Sequence, residues 1–298
     1  MPTAAIVVTY RPDAGALAGV RALAGQVEHI VVADNGSGEE SRGFFDGLAG
    51  TGAVVLRLGG NLGVGAAHNA GIGRARALGA SHALLLDQDS VPAADMAAAL
   101  LRAEAKLLAQ GVKVAAIGPV YYDQRVGKAW PFYRLSIAGM TAHRCDGQET
   151  VPCDFLISSG SLIRLSVLDE VGGMNEGYFL EHVDTEWALR AKAAGYALFG
   201  VCGATMLHSL GDDAVDVPLA NRRVQVYQPY RGYYLFRNAV LLWRQPFAPL
   251  AWKLNELRRL SLRLVFFSLM VPPRLERLRY MLLGLWHGLL RRSGPLKP

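Results

Sequence analysis

His82-Ala83-Leu84-Leu85-Leu86-Asp87-Gln88-Asp89-Ser90 is the stretch on which the fold turns. Its short, unbroken apolar run is what a strand buried on both faces requires. The run stops at two carboxylates one residue apart. Hard oxygen donors so placed suit Mg²⁺ or Mn²⁺, whose shell phosphate oxygens commonly complete. An Asp-rich turn after a strand is also ordinary turn chemistry. Its weight therefore depends on whether other strands end beside it.

Working outward, residues 5–9, 29–33, 53–58 and 82–86 read as buried strands, with 115–118 a weaker fifth. Between them, 15–26, 64–78 and 93–110 have the composition of helices. This β-α-β alternation predicts an α/β chain with a mostly parallel, Rossmann-like sheet covered by helices on both faces. Ligands of such sheets bind beyond the carboxyl ends of the strands. The strands here end in Thr9-Tyr10-Arg11, in Asp34-Asn35-Gly36-Ser37, in Gly59-Gly60-Asn61-Leu62-Gly63, and in Asp87-Gln88-Asp89. Such a rim suits a nucleoside diphosphate and a cation together. The run Gly63-Val64-Gly65-Ala66-Ala67-His68 approaches a dinucleotide fingerprint, but His68 stands where the third glycine belongs and the run follows the third strand. The reading is phosphate near a helix N-terminus, without a nicotinamide cofactor.

Beyond residue 120 the chain reads as irregular, until Phe155-Leu156-Ile157-Ser158-Ser159-Gly160 and a helix around 165–171. After the Gly172-Gly173 turn comes Glu181-His182-Val183-Asp184-Thr185-Glu186-Trp187. Acids in a first helical turn complement the helix dipole. Beside Tyr178, Phe179 and Trp187 they also have a composition suited to a sugar-binding cleft, in which a carboxylate could serve as general base. His208 follows a short β run and reads as a metal ligand or a core histidine. Arg231 and Arg237 read as a diphosphate clamp or as a solvated helix face.

The chain has 298 residues, 51% of them hydrophobic, which excludes a disordered or low-complexity protein. Its net charge of +6 is unevenly spread. From residue 222 onward, fifteen Lys and Arg face only Glu256 and Glu276. That segment is also apolar: Leu275, Leu278, Leu282, Leu285, Trp286 and Leu289 share a helical stripe, with Arg274, Arg277, Arg279 and Arg291 around it. Basic amphipathic helices carrying Trp and Phe suit an anionic membrane surface; packing on the body or on a second subunit is the alternative. No nucleic-acid motif accompanies the charge. No apolar run approaches the ~20 residues of a spanning helix, and the N-terminus lacks a signal-peptide pattern. Three cysteines, none in a C-x-x-C pair, argue against a disulfide scaffold or zinc ribbon and for a reducing, cytoplasmic setting.

Taken in order, Val8-Thr9-Tyr10, Asp34-Asn35, Gly60-Asn61-Leu62-Gly63, Leu86-Asp87-Gln88-Asp89-Ser90, Phe155-Leu156-Ile157-Ser158-Ser159-Gly160, His182-Val183-Asp184-Thr185-Glu186 and Tyr233-Tyr234-Leu235-Phe236-Arg237-Asn238 resemble the inverting GT-A glycosyltransferases of family 2. More narrowly they are similar to bacterial L-rhamnosyltransferases of O-antigen and rhamnolipid synthesis. The resemblance implies a catalytic domain over 1–245 and a basic helical tail over 246–298. It places Thr9, Tyr10, Asp34, Asn61, Gly63, Asp87 and Gln88 at the nucleotide, beside which the residue reading of Arg231 and Arg237 as a diphosphate clamp fits. Asp89 and His208 would hold a divalent cation, Mg²⁺ or Mn²⁺. Asp184 matches the family's general base, although the usual Glu-Asp pair reads Val183-Asp184 here. Ser159, Gly160, Glu181 and Trp187 would line the acceptor site. The implied reaction moves L-rhamnose from dTDP-β-L-rhamnose to a lipid-linked saccharide or glycolipid, at the inner face of the bacterial cytoplasmic membrane. A different dTDP- or UDP-sugar donor, or a non-catalytic sugar-nucleotide-binding protein, are the other readings.

Overall fold

The computed structural model describes residues 1–123, 127–208, 213–217 and 222–296, with 213–217 and 222–225 described by their backbone alone. Four strands form one half of the main sheet: β1 (Thr3–Thr9), β2 (His29–Asp34), β3 (Val54–Arg57) and β4 (His82–Asp87). β1 lies between β4 and β2, and all these pairs are parallel. Side chains alternate across the sheet, so one β-strand feeds two cores. Ala4, Ile6, Ala83 and Leu85 meet Ile72 and Ala75 of helix α3 (Val64–Ala77) on one face. Ala5, Val7, Leu84 and Leu86 meet Leu17 and Val20 of α1 (Leu17–Ala22) and Met96 and Leu100 of α4 (Met96–Ala109) on the other. A short α2 (Arg42–Asp46) and the two-residue β5 (Val91–Pro92) complete this half. The α/β reading holds. Helix α1 is shorter than the expected 15–26, in a stretch weakened by Gly15, Gly19 and Gly25.

The second half is more regular than its sequence suggests. β6 (Val114–Asp123) extends the weak fifth strand to ten residues. The segment expected to be irregular holds β7 (Lys128–Ala129), the hairpin β8 (Phe132–Ser136) and β9 (Gly139–His143), and β10 (Thr150–Cys153). β11 (Leu162–Arg164) runs antiparallel between β4 and β6, and β12 (Ala197–Leu207) runs parallel to β6. The ten-stranded sheet is therefore mixed, in the order β10-β12-β6-β11-β4-β1-β2-β3, with β5 on β12 and β7 on β6. Against the expectation from cysteine spacing, Cys145 and Cys202 are disulfide-bonded. The fold lays the loop after β9 along β12, a proximity that a separation of 57 residues does not announce. Cys153 is buried and free.

Helices α5 (Leu165–Val171) and α6 (Val183–Ala193) cover the sheet, and β13 (Asp213–Val217) pairs with β14 (Arg222–Val226). Then come α7 (Pro229–Trp243), α8 (Leu250–Leu269) and α9 (Arg274–Leu289). Helices α8 and α9, the stretch read as a tail, both dock on the rest of the chain. Asn255 Nδ2 donates to the Ser136 carbonyl at 2.7 Å, fixing α8 to the β8–β9 turn. α9 lies so close to α7 that a Cβ on Gly284 would sit 2.4 Å from the Tyr233 carbonyl oxygen. Among the described residues no helix is long and apolar enough to cross a membrane.

Candidate active site

Register places the polar strand ends together. Thr9 pairs with Asp34, Val8 with Asp87, and Asp34 with Arg57. β12 reaches the same rim from the other half of the sheet: its register shifts between Val201 and Thr205, and its end pairs with β5 at Leu207–Val91. His208, the next residue, therefore falls beside the Asp87–Asp89 turn.

One ligand atom from each of Asp87, Asp89 and His208 lies within 4.8 Å of the others. His208 Nδ1 is 3.2 Å from Asp89 Oδ1 and 2.9 Å from Ser90 Oγ. Ser90 Oγ meets Ser159 Oγ at 2.6 Å, and the Asp87 amide donates to Ser159 Oγ at 3.1 Å. Burial pushes the Asp87 carboxyl up to about 6, with Asp89 and Asp184 adding to the rise and His208 and Arg231 opposing it. Burial also disfavours a charged His208, yet its hydrogen bond to Asp89 and the nearby carboxylates raise its pKa overall. Two carboxylates and an imidazole, with a negative field that a positive charge relieves, fit a divalent cation. Asp87, expected at the nucleotide, thus lies with Asp89 and His208 in the group that could hold such an ion. Ser159 and Gly160, expected at the acceptor, are buried beneath this turn and support it; the Gly160 amide donates to the Leu85 carbonyl at 2.7 Å.

A cleft of about 210 Å³ lined by Arg11, Asp13, Gln88, Asp89 and Val91 opens at the strand ends. Gln88 Oε1 accepts from the amide of exposed Tyr10 at 2.8 Å. Thr9 is buried, and its carbonyl accepts from the Asn35 amide. Asp34 is buried and accepts from Arg57 Nη1 at 2.8 Å and from Ser37 Oγ at 2.5 Å. Arg57, which stacks 3.6 Å over the Phe45 ring, escaped the sequence reading. Its only signal was a basic residue at a strand end in register with Asp34.

Three amides of the glycine turn are already engaged within the protein. The Leu62 amide donates to Asn35 Oδ1, the Gly63 amide to Asn61 Oδ1, and the Val64 amide to the Phe179 carbonyl at 2.7 Å. Gly63 has φ +92°, and a Cβ there would lie 2.5 Å from that carbonyl. The Val64 amide and the close approach at Gly63 therefore seat the 179 loop against α3, while Asn61 braces the turn itself.

Asp184 sits in the first turn of α6 and accepts from the Thr185 amide at 2.6 Å. Burial raises its carboxyl above the usual range, the direction that makes an aspartate a better base. The other acids are engaged elsewhere. Glu186 is buried and bridged by Arg190, whose Nη2 also donates to the Gly173 carbonyl at 2.7 Å. Glu181 is held by Arg231 through Nε at 2.7 Å and Nη2 at 2.6 Å. Arg231 stacks on Tyr227 at 4.2 Å and stays near enough to the rim to lower Asp87. Two expected site residues are structural. Trp187 is buried in the core with Nε1 donating to the Gly172 carbonyl at 2.9 Å, so it cannot face an acceptor. Arg237 is fully buried and donates to the carbonyls of Gly177, Tyr178 and Gly294, so it cannot clamp a diphosphate. Tyr121, stacked on Trp130 and edge-on to His208 at 5.9 Å, adds an aromatic wall the sequence did not announce.

Residues 5–172 match the family model described as Glycosyl transferase family 2. The chain is 30% identical over 281 residues to the dTDP-rhamnosyl transferase RfbF of Shigella flexneri, covering 93% of this chain and 90% of that protein. Among solved structures it is similar to S. aureus TarS 1–349 in complex with UDP-GlcNAc, with TM-score 0.58 and 16% identity over 97% of this chain and 81% of that one. It is also similar to GalNAc-T7 with UDP, GalNAc and Mn²⁺, with TM-score 0.58 and 12% identity over 87% of this chain. There it spans 54% of the longer protein. At these identities the structures speak for the fold, which is GT-A.

Proposed function

Because the chain belongs to glycosyl transferase family 2, we propose that it transfers L-rhamnose from dTDP-β-L-rhamnose to an acceptor hydroxyl, inverting to an α-linkage. The observation that carries the reading is the Asp87–Asp89–His208 group at the rim, with the raised carboxyl of Asp184 close enough to act on Asp87. The resemblance to a dTDP-rhamnosyl transferase supports the donor.

Thr9, Tyr10, Asp34 and Gln88 frame the nucleoside, and Arg231 faces the diphosphate. Asp87, Asp89 and His208 would hold Mg²⁺ or Mn²⁺, which neutralises charge on a departing diphosphate. Asp184 takes the proton of the acceptor hydroxyl as its oxygen attacks the anomeric carbon opposite the leaving group. Charge develops on the sugar as an oxocarbenium-like centre. Glu181 borders the acceptor side, its charge compensated by Arg231.

The proposed acceptor is a lipid-linked saccharide or glycolipid, reached by peripheral contact with an anionic membrane at its cytoplasmic face. The apolar stripe of α9 divides in the structure. Leu278 and Leu285 are half-buried, while Leu275 (83%) and Trp286 (58%) stand exposed with Leu282 and Leu289. On α8, Leu262, Val265 and Leu269 are exposed at a helical spacing, and Arg274 and Arg279 are exposed on α9. This surface supports the membrane reading. The test offers dTDP-rhamnose, UDP-glucose and UDP-GlcNAc with a panel of lipid-linked and free saccharides, and identifies products by mass spectrometry. A deoxyhexosyl product from dTDP-rhamnose alone is expected; a hexosyl product from a UDP donor would replace the donor assignment.

A further inference from the structure

The loop that delivers Asp184 is backed by unusual geometry. Phe179 has φ 64°, Glu181 φ 25° and His182 φ 63°, three left-handed non-glycine residues within four positions. Each such conformation costs on the order of 1–3 kcal/mol and persists only where the surroundings over-determine it. Asp184 follows His182 by two residues, so the direction of its side chain is set by this loop.

The surroundings that fix the loop lie on α7. Asn238 is fully buried, and its Nδ2 donates to three loop carbonyls: Tyr178 at 2.9 Å, Leu180 at 3.1 Å and Glu181 at 2.8 Å. Its Oδ1 accepts from Arg237 Nε at 2.8 Å, which orients the amide so that its nitrogen faces the loop. Two hydrogens serve three carbonyls, so the contact at Leu180 is shared. From the other side, Phe179 O accepts from the Val64 amide, and His182 packs edge-on against Trp252 with Nε2 3.5 Å from Glu256 Oε1. Among the described residues, Asn238 is the one side chain that hydrogen-bonds to the backbone on both sides of Phe179.

We infer that Asn238 is a positioning residue for Asp184: its amide holds the 178–181 backbone in the strained path that points the carboxylate at the acceptor. The inference rests on Asp184 being the base. Asn238 touches neither the nucleotide cleft nor the metal group, so its loss should misplace the base and leave donor binding intact. Misplacement of about 1 Å costs on the order of 10²-fold in turnover.

The experiment measures transfer, donor KM and dTDP affinity for Asn238→Ala, Asn238→Ser and Asp184→Asn in the full-length protein, with thermal unfolding recorded for each. Asn238→Ala is expected to lose about a hundredfold in kcat with donor KM and dTDP affinity within about twofold of the parent. Asn238→Ser retains one hydroxyl donor and a smaller void, and serves where the alanine chain does not fold. Its expected loss is about tenfold, again confined to kcat. Turnover within about twofold of the parent in a folded Asn238 variant overturns the inference. So does a variant whose kcat falls only together with dTDP affinity, since that marks general loosening. If Asp184→Asn itself retains turnover, the base assignment fails instead, and the positioning role falls with it.

Discussion

Asp89 and His208 meet because two strand ends from different halves of the sheet converge, and the variant Asp89→Asn removes one charge from that meeting. We expect it to lower turnover by at least about a hundredfold, because charge on the leaving diphosphate would go uncompensated. Its Mn²⁺ affinity, read by titration calorimetry, should fall in parallel; full turnover in the variant would remove Asp89 from the site. A second residue gives a cleaner pH signature. His68 is fully buried with no hydrogen-bond partner among the described residues, and burial depresses it from 6.5 to about 4. Between those values the unfolded chain binds the extra proton and the folded chain does not. Stability is therefore lost as pH falls from 6.5 toward 4, by up to about 3 kcal/mol. His68→Leu should flatten the urea-midpoint profile across that window, and an unaltered profile would mean that other groups set it. The turn at Asp89 stood out in the sequence because other polar strand ends were expected beside it, and the structure gathers Asp87, Asp89 and His208 there. Arg237 and Trp187 were misread for a physical reason: a chain of letters does not say whether a polar tip faces solvent or a backbone carbonyl.

Elements were legible where they were local and apolar. β1, β2 and β4 are contiguous hydrophobic runs between turn residues, which sets them apart in the sequence, whereas α1 is shorter than its stretch suggested and α2 was not anticipated. β8 and β9 are half-exposed and short, and β11 is three residues long, so their pairing is decided by tertiary neighbours. α9 carries both kinds of information at once. Its buried line runs through Arg277, Met281, Gly284 and Gly288, while its leucine stripe is turned partly outward. The double substitution Leu275→Ser with Trp286→Ser should leave donor hydrolysis unchanged and weaken binding to anionic vesicles by at least about tenfold, since each large apolar side chain withdrawn from water contributes about 1.5–3 kcal/mol. Added salt should weaken parent binding only in part, because apolar burial is not screened. Co-sedimentation equal to the parent would assign that face to another partner.

Across the whole molecule, the second half completes a site that the first half begins. Removing residues 274–298 should therefore do more than release a tail. It strips α7 of the helix packed on Tyr233 and Val240, and it removes the Gly294 carbonyl that Arg237 holds. We expect the shortened chain to lose donor hydrolysis and to unfold at lower temperature, both measurable beside the intact protein; an active chain with an unchanged melting point would show α9 to be dispensable. The connection also bears on synthesis. The strands that bring Thr9, Asp34 and Asp87 together are complete within the first ninety residues and can pair as they leave the ribosome. The loop before Asp184 has to wait for partners 57–60 residues later in the chain, and one further contact closes only when the Gly294 amide reaches the Gly177 carbonyl. A nascent chain would thus assemble the rim at its parallel strand ends well before the loop that precedes Asp184 is fixed in place.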